Sequence, residues 1–550
     1  MCYRRAVRFI LPLFLTFALG CGVPVSGTDA SITDDAGASP DDAGPGDAGG
    51  TTGDAGSTDA GPSDAGGADA GPGDAGTPDA GPLPDGGPAF TLVTVSSPRE
   101  LRGVWVASVS NLDWPTSSTL SADAGRASLV ALVDSMADAG LNALFFQVRP
   151  ESDALYPSTL EPWSRFLTGT QGQNPGWDPL EEVITLAHAR GLEVHAWMNP
   201  YRGLVSASSQ TATNHVSRTL SSAAITYDGK VVMNPGVPAV RQHVEAVVDD
   251  LLTRYDVDGL HFDDYFYPYP DAQNTPFPDS TTYSAYQADG GTLAKADWRR
   301  ENVNTLVREV MGLITSNHPQ VRFGVSPFGI WKSGTPAGIT GLSAYDAISC
   351  DAVTWMNQGW VDYLAPQLYW PRGGAQDFIK LSTWWAQGTR GGRNLFAGLA
   401  TYRLGSTSSW TLAEYRAQVQ QLRDLGGDTR GAIHFRAGNI KSNLLGVATL
   451  LGGDLYAKPA LTPVLPRMGA SVAPAVPFVS VVGRALSVTD PQPQMVRFFA
   501  LYKDLGGGQW ELTQVRGGAQ VTFDVTPGAW AVSAVGRGGA ESQGVRVVVP

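Results

Sequence analysis

From about residue 98 to 455 the chain alternates two periodicities. Short runs in which every second residue is apolar, or nearly all are, give way to longer runs with apolar positions three and four apart. The first period is that of a strand and the second that of an amphipathic helix. Eight strand-like runs result, at 101–108, 143–149, 193–199, 259–264, 322–327, 363–369, 395–400 and 432–436. Helical patterns separate them, clearest at 127–137, 179–189, 239–255, 298–316, 377–387 and 412–425. Strict alternation of strand and helix requires a parallel sheet with crossover helices, and eight such units predict an α/β fold, the (β/α)₈ TIM barrel. The longest interruptions, 201–237 and 265–296, follow the third and fourth strands, where barrel loops shape a cleft.

Alternation within each strand sorts inward from outward residues. On the second strand Leu144, Phe146 and Val148 face helices, which turns Gln147 and Arg149 inward. On the third, Val194, Ala196 and Met198 face out and His195, Trp197 and Asn199 face in. On the fourth, Leu260 and Phe262 face out, so His261 and Asp263 point at the axis. Ser326, Gln367, Tyr369, His434 and Arg436 are expected at the same mouth. A barrel serving packing alone fills such positions with branched apolar residues; a polar, aromatic and basic ring around one axial acid reads as a site. Asp264 has the opposite parity and is expected in a supporting role.

Hydrolysis of a glycosidic bond fits this pattern, because it needs an acid for the leaving oxygen and usually a second carboxylate. Asp263 is the first member. Glu151, or Asp153 beside it, in the loop after the second strand, is the nearest candidate for the second. A substrate N-acetyl carbonyl could instead be the nucleophile, oriented by Tyr369 or Gln367. His195, His261 and His434 are expected to bond sugar hydroxyls or to hold Asp263. Without a short His-x-His spacing a metal-dependent hydrolase is the lesser reading, and neither metal nor cofactor is expected. Aromatic faces at Trp105, Trp114, Trp163, Trp177, Trp197, Tyr201, Tyr265, Tyr267 and Trp370 offer sugar platforms, and Arg149 and Asn199 complete the expected substrate contacts.

Beyond the barrel the pattern changes twice. Residues 459–550 are rich in Val, Pro and Gly and carry about seven short strand candidates, which predicts a small β-sandwich of the fibronectin type III kind. Residues 22–90 are Asp-Ala-Gly-Pro repeats, and 22–98 hold 13 Asp and no Lys or Arg. Such a segment buries almost nothing and is expected to be a disordered linker, with a reach on the order of 45 Å. It accounts for most of the formal net charge of −14, so the acidity says nothing of substrate, and no basic patch suggests nucleic acid. Residues 1–21 read as a secretory signal: Arg4, Arg5 and Arg8, an apolar run, then Ala18-Leu19-Gly20-Cys21. That last stretch resembles a bacterial lipobox and predicts an exported protein lipidated at Cys21, anchored in the cell envelope. Of the three cysteines only Cys350 remains in the folded part, so no intramolecular disulfide is expected. The barrel domain is expected over 91–458, and the protein as a monomer.

Five stretches carry a family resemblance. Leu101-Arg-Gly-Val-Trp-Val-Ala-Ser-Val-Ser-Asn-Leu-Asp-Trp-Pro115, Phe145-Phe-Gln-Val-Arg-Pro150, His195-Ala-Trp-Met-Asn-Pro-Tyr-Arg202, Asp258-Gly-Leu-His-Phe-Asp-Asp-Tyr-Phe-Tyr-Pro268 and Tyr363-Leu-Ala-Pro-Gln-Leu-Tyr-Trp370 resemble the glycosyl hydrolase-like 10 family, from about residue 98 to 455. The resemblance implies a (β/α)₈ glycosidase domain acting on a bacterial cell-wall or extracellular polysaccharide, among them peptidoglycan glycan strands stripped of peptide. Residues 258–265 are also distantly similar to the chitinase strand that ends in a catalytic Glu, but Tyr265 stands at that position. A non-catalytic glycan-binding protein on a degenerate barrel is therefore the alternative.

Overall fold

The computed structural model describes residues 90–388, 392–465, 467–468 and 473–550. The expected leader, the lipidation site Cys21 and the linker to residue 89 lie outside the described residues.

Eight parallel strands close into a barrel in sequential order: β1 Leu101–Val106, β2 Ala143–Arg149, β3 Glu193–Met198, β4 Gly259–Phe262, β5 Arg322–Val325, β6 Tyr363–Leu364, β7 Asn394–Ala400 and β8 Thr429–Phe435. Strand β6 is short because Pro366 has no N–H to give the ladder, yet Ala365 and Gln367 still donate to Val325 and Pro327. The helices begin where local chemistry starts them. At Pro179–Ala189 the Asp178 carboxylate accepts from the N–H groups of Leu180 and Glu181, and a proline follows it. Leu144, Phe146, Val194, Ala196, Leu260 and Phe262 are buried in the layer between strands and helices, as their alternation predicts.

Two positions depart from simple alternation. The register between β2 and β3 shifts between Gln147 and Arg149, a bulge that re-aims the arginine. Strand β8 turns Phe435 inward, against Trp105 and Tyr369, and His434 outward, between Tyr415 and Tyr456. His434 is therefore not at the mouth. Polarity misleads there because the helix Leu412–Leu425 and the segment after it supply hydroxyl partners outside the barrel.

The C-terminal region forms two antiparallel sheets. Phe478–Val482, Ala485–Thr489 and Gln520–Asp524 make one; Val496–Gly506, Gln509–Arg516, Gly528–Gly536 and Gly544–Val549 make most of the other. Thr91–Val93 completes the second sheet by pairing with Gly544, Val545 and Arg546, so these three residues belong to the sandwich rather than the barrel. Both faces of Val496–Gly506 are covered over residues 497–502. Phe499 and Leu501 face the other sheet, whereas Phe498, Ala500 and Tyr502 pack on the side of Leu461 and the barrel. Among the described residues, the barrel groups bonded to the sandwich lie before a strand or at a helix end, which is the N-terminal face. Arg497 pairs with Asp256 and Asp258 ahead of β4, and Gly517 donates to His188. The connecting segment crosses the same face, with Thr462 on Glu193, Pro463 on Arg322 and Arg467 on Asp362. These contacts lie opposite the C-terminal ends of the strands, where Asp263 sits.

Candidate active site

Asp263 follows the last residue of β4 and is 1% exposed. Its Oδ2 accepts from the Trp197 indole at 3.2 Å and from the Asn199 amide; its Oδ1 accepts from the Tyr265 backbone N–H at 3.2 Å. Burial pushes the Asp263 carboxyl up, and the Arg202 charge and these three donors oppose it; the net direction is upward. The Arg202 guanidinium lies 4.3 Å over the Tyr265 ring. Behind Asn199, its Oδ1 accepts from Gln147 Nε2 at 2.6 Å, and Gln147 Oε1 accepts from the N–H groups of Ser108 and Val109 at 2.9 and 3.0 Å. Thus β2, β3 and β4 each contribute one inward side chain to a continuous polar chain ending on Asp263.

Asp264 is fully buried as well, on the other side of the strand end, where the Tyr269 hydroxyl donates to its Oδ2. Burial and the adjacent Asp263 charge push it up to about 7. Gln367 lies against it and donates to the Ser326 carbonyl at 3.1 Å. Asp264 Oδ1 and Gln367 Oε1 are both buried acceptors without a donor.

The layer beneath holds the histidines. The Trp105 indole donates to His261 Nε2 at 3.1 Å, so that nitrogen carries no proton and Nδ1 faces the Tyr363 hydroxyl at 2.9 Å. Burial holds His261 well below its ordinary value, and it is neutral. His195 continues the chain between Tyr363, at 3.4 Å, and Glu193, at 3.1 Å, toward the closed end of the barrel. Neither ring touches Asp263; they fill the interior as a hydrogen-bonded stack. Among the described residues no three His, Cys, Asp or Glu side chains are grouped to hold a metal.

The loop after β2 keeps its charges to itself. Arg149 pairs doubly with Glu161, whose carboxyl it holds down at about 2, and donates to the Asn199 and Pro200 carbonyls. Glu151, expected as the second carboxylate, is fully buried, bound by both nitrogens of Arg165 and by the Val205 N–H. Asp153 accepts from Gln171, and burial with the neighbouring Glu151 charge pushes it to about 7. Tyr201 is buried in the hydrophobic layer, away from any cleft surface. Tyr369 stacks on Phe435, with ring centroids 5.9 Å apart.

The structure thus brings Trp197, Asn199, Asp263, Asp264, Tyr265 and Gln367 together, sets Arg149 behind them on the Asn199 carbonyl, and leaves Glu151, Tyr201 and His434 elsewhere. Sequence reasoning passed over Arg202, Tyr269 and Asp113. The last is buried on the loop after β1, with Arg436 at 2.6 Å and the Ala107 and Gly438 N–H groups on its carboxylate. Arg202 had a signal, since it ends the motif His195 to Arg202.

The sequence profile of the glycosyl hydrolase-like 10 family matches residues 100–415. Glycosyl hydrolase YngK of Bacillus subtilis (strain 168) is 36% identical over 455 residues, 78% of this chain and 88% of that protein. Glycosyl hydrolase DigH of Escherichia coli (strain K12) is 38% identical over 387 residues, 64% of this chain and 86% of its own. The glycoside hydrolase domain of PgaB (BpsB) from Bordetella bronchiseptica superposes with a TM-score of 0.42 at 15% identity, covering 64% of this chain and 98% of that domain. A profile that spans more than half of the residues, together with these two relatives, shows that the chain belongs to the glycosyl hydrolase-like 10 family.

Proposed function

We propose that this glycoside hydrolase cleaves O-glycosidic bonds in a bacterial cell-wall or other extracellular polysaccharide, with peptide-stripped peptidoglycan strands as the first substrate to test. Asp263 is the reacting acid. The observation that carries this reading is its position: a buried carboxyl at the C-terminal end of β4, gripped by three donors, whereas Glu151 and Glu161 nearby are paired with arginines. Burial raises its proton affinity above that of an ordinary aspartate, and the donors with Arg202 hold the anion left after proton transfer. Asp264, adjacent and titrating near 7, makes the two a coupled pair in which the first ionisation opposes the second. Export and lipidation at Cys21 belong to the same proposal and put the enzyme where such glycans are.

Mass spectrometry of products released from peptidoglycan, with and without prior removal of its peptides, tests the substrate. The Asp263→Asn variant is expected to lose cleavage by about a hundredfold or more while retaining glycan binding. An unchanged product profile from that variant would refute the assignment.

A further inference from the structure

We propose that Gln147 is a positioning residue: it fixes which end of the Asn199 amide faces Asp263, and so holds that carboxyl as a hydrogen-bond acceptor. The inference rests on Asp263 being the reacting acid. A primary amide has a donor end and an acceptor end of nearly the same shape, so its orientation is set by its partners. Gln147 has partners that leave no choice. One end lies 2.9 and 3.0 Å from the backbone nitrogens of Ser108 and Val109, which can only donate, and must be oxygen. Its other end is then N–H, 2.6 Å from Asn199, which must present its oxygen there. The remaining end of Asn199, the one on Asp263, is consequently N–H.

Two backbone N–H groups on the loop after β1 are in this way transmitted through two amides to the carboxylate. Gln147 and Asn199 are wholly buried, and each link between them and their partners is a direct hydrogen bond. The other groups facing Asp263 are the Trp197 and Tyr265 N–H donors, the Arg202 cation and the adjacent Asp264 carboxyl, with neutral His261 in the layer below. Were Asn199 reversed, two oxygens would meet and only a protonated Asp263 would satisfy them. The relay therefore decides the charge on which the acid settles after each proton transfer.

Two variants test this. Gln147→Glu keeps the acceptor for Ser108 and Val109 but offers Asn199 a second acceptor, which turns the amide around. Gln147→Met removes both links without adding charge. The readouts are the infrared carbonyl stretch of Asp263, isolated by subtraction of Asp263→Asn, and the pH profile of hydrolysis of peptide-stripped glycan strands. In Gln147→Glu both the carboxyl titration and the Asp263-dependent limb are expected to move up by about one pH unit or more. In Gln147→Met, kcat is expected to fall roughly tenfold with KM held within about twofold, as for loss of orientation rather than of binding. Folded variants that lose only thermal stability, with titration and profile at wild-type positions, overturn the proposal. Should Gln147→Glu not fold, wild-type kcat and titration in Gln147→Met overturn it alone. Failure of the Asp263 reading would look different: Asp263→Asn would cleave normally, and the infrared titration would still report on Gln147.

Discussion

Arg497, on the sandwich, lies 2.6 Å from the Asp258 carboxylate, which is five residues before Asp263 on the same segment of chain. The side chains are 5% and 3% exposed, and the other Asp258 oxygen accepts from the Val194 N–H and from His188. The guanidinium also spans both oxygens of Asp256. The base of β3 and β4, the strands that carry Asn199 and Asp263, is thus closed by a cation from another domain. Arg497→Met leaves a buried carboxylate without its partner and is expected to cost about 3–5 kcal/mol of stability, measured by urea unfolding. Loss below about 1 kcal/mol would mean that the sandwich is only loosely attached.

Asp264 and Asp153 are both pushed up to about 7, against 3.8 in an unfolded chain. Between those values the folded protein holds protons that the unfolded chain has released. Their contribution to stability is full below about pH 4 and is lost as pH rises through 7. Asp264→Asn removes one share. Its stability relative to wild type is expected to improve as pH rises from 5 to 8, by up to about 1.4 kcal/mol per pH unit. Parallel stability curves would count against a neutral Asp264.

Glu151→Gln separates structure from chemistry. The bidentate pair with Arg165 and the bond from Val205 hold the loop after β2 in place, so thermal stability is expected to fall by several degrees. Cleavage per folded molecule is expected to stay within about threefold of wild type. A hundredfold loss of kcat in a folded protein would restore Glu151 as the second carboxylate.

His434→Phe strands the Tyr415 and Tyr456 hydroxyls behind β8 and is expected to cost about 1–3 kcal/mol in calorimetry. The pH profile of cleavage should not move, because that ring lies outside the barrel.

The eight strands were legible because each carries its own periodicity and the helices between them interrupt it. Inward residues were legible on β3 and β4, where polar and apolar positions alternate cleanly from His195 to Asn199 and from Leu260 to Asp263. They were not legible on β8, where Ile433 and Phe435 face an aromatic interior and His434 finds its partners outside. The bulge that re-aims Arg149 and the burial of Glu151 depend on Glu161 and Arg165, whose approach no local pattern encodes. Least legible of all was the pairing of Thr91–Val93, whose mostly β-branched run says nothing of partners about 450 residues away.

That short strand has a mechanical consequence. Residue 90 enters the described structure directly before Thr91, and the pairing with Gly544 to Arg546 stitches the two ends of the folded region side by side on the sandwich. With Arg99 and Glu541 bridging the next stretch, a force applied at residue 90 would meet this antiparallel strand pair first. Such a force would load the sandwich before the strand ends that hold Asp263.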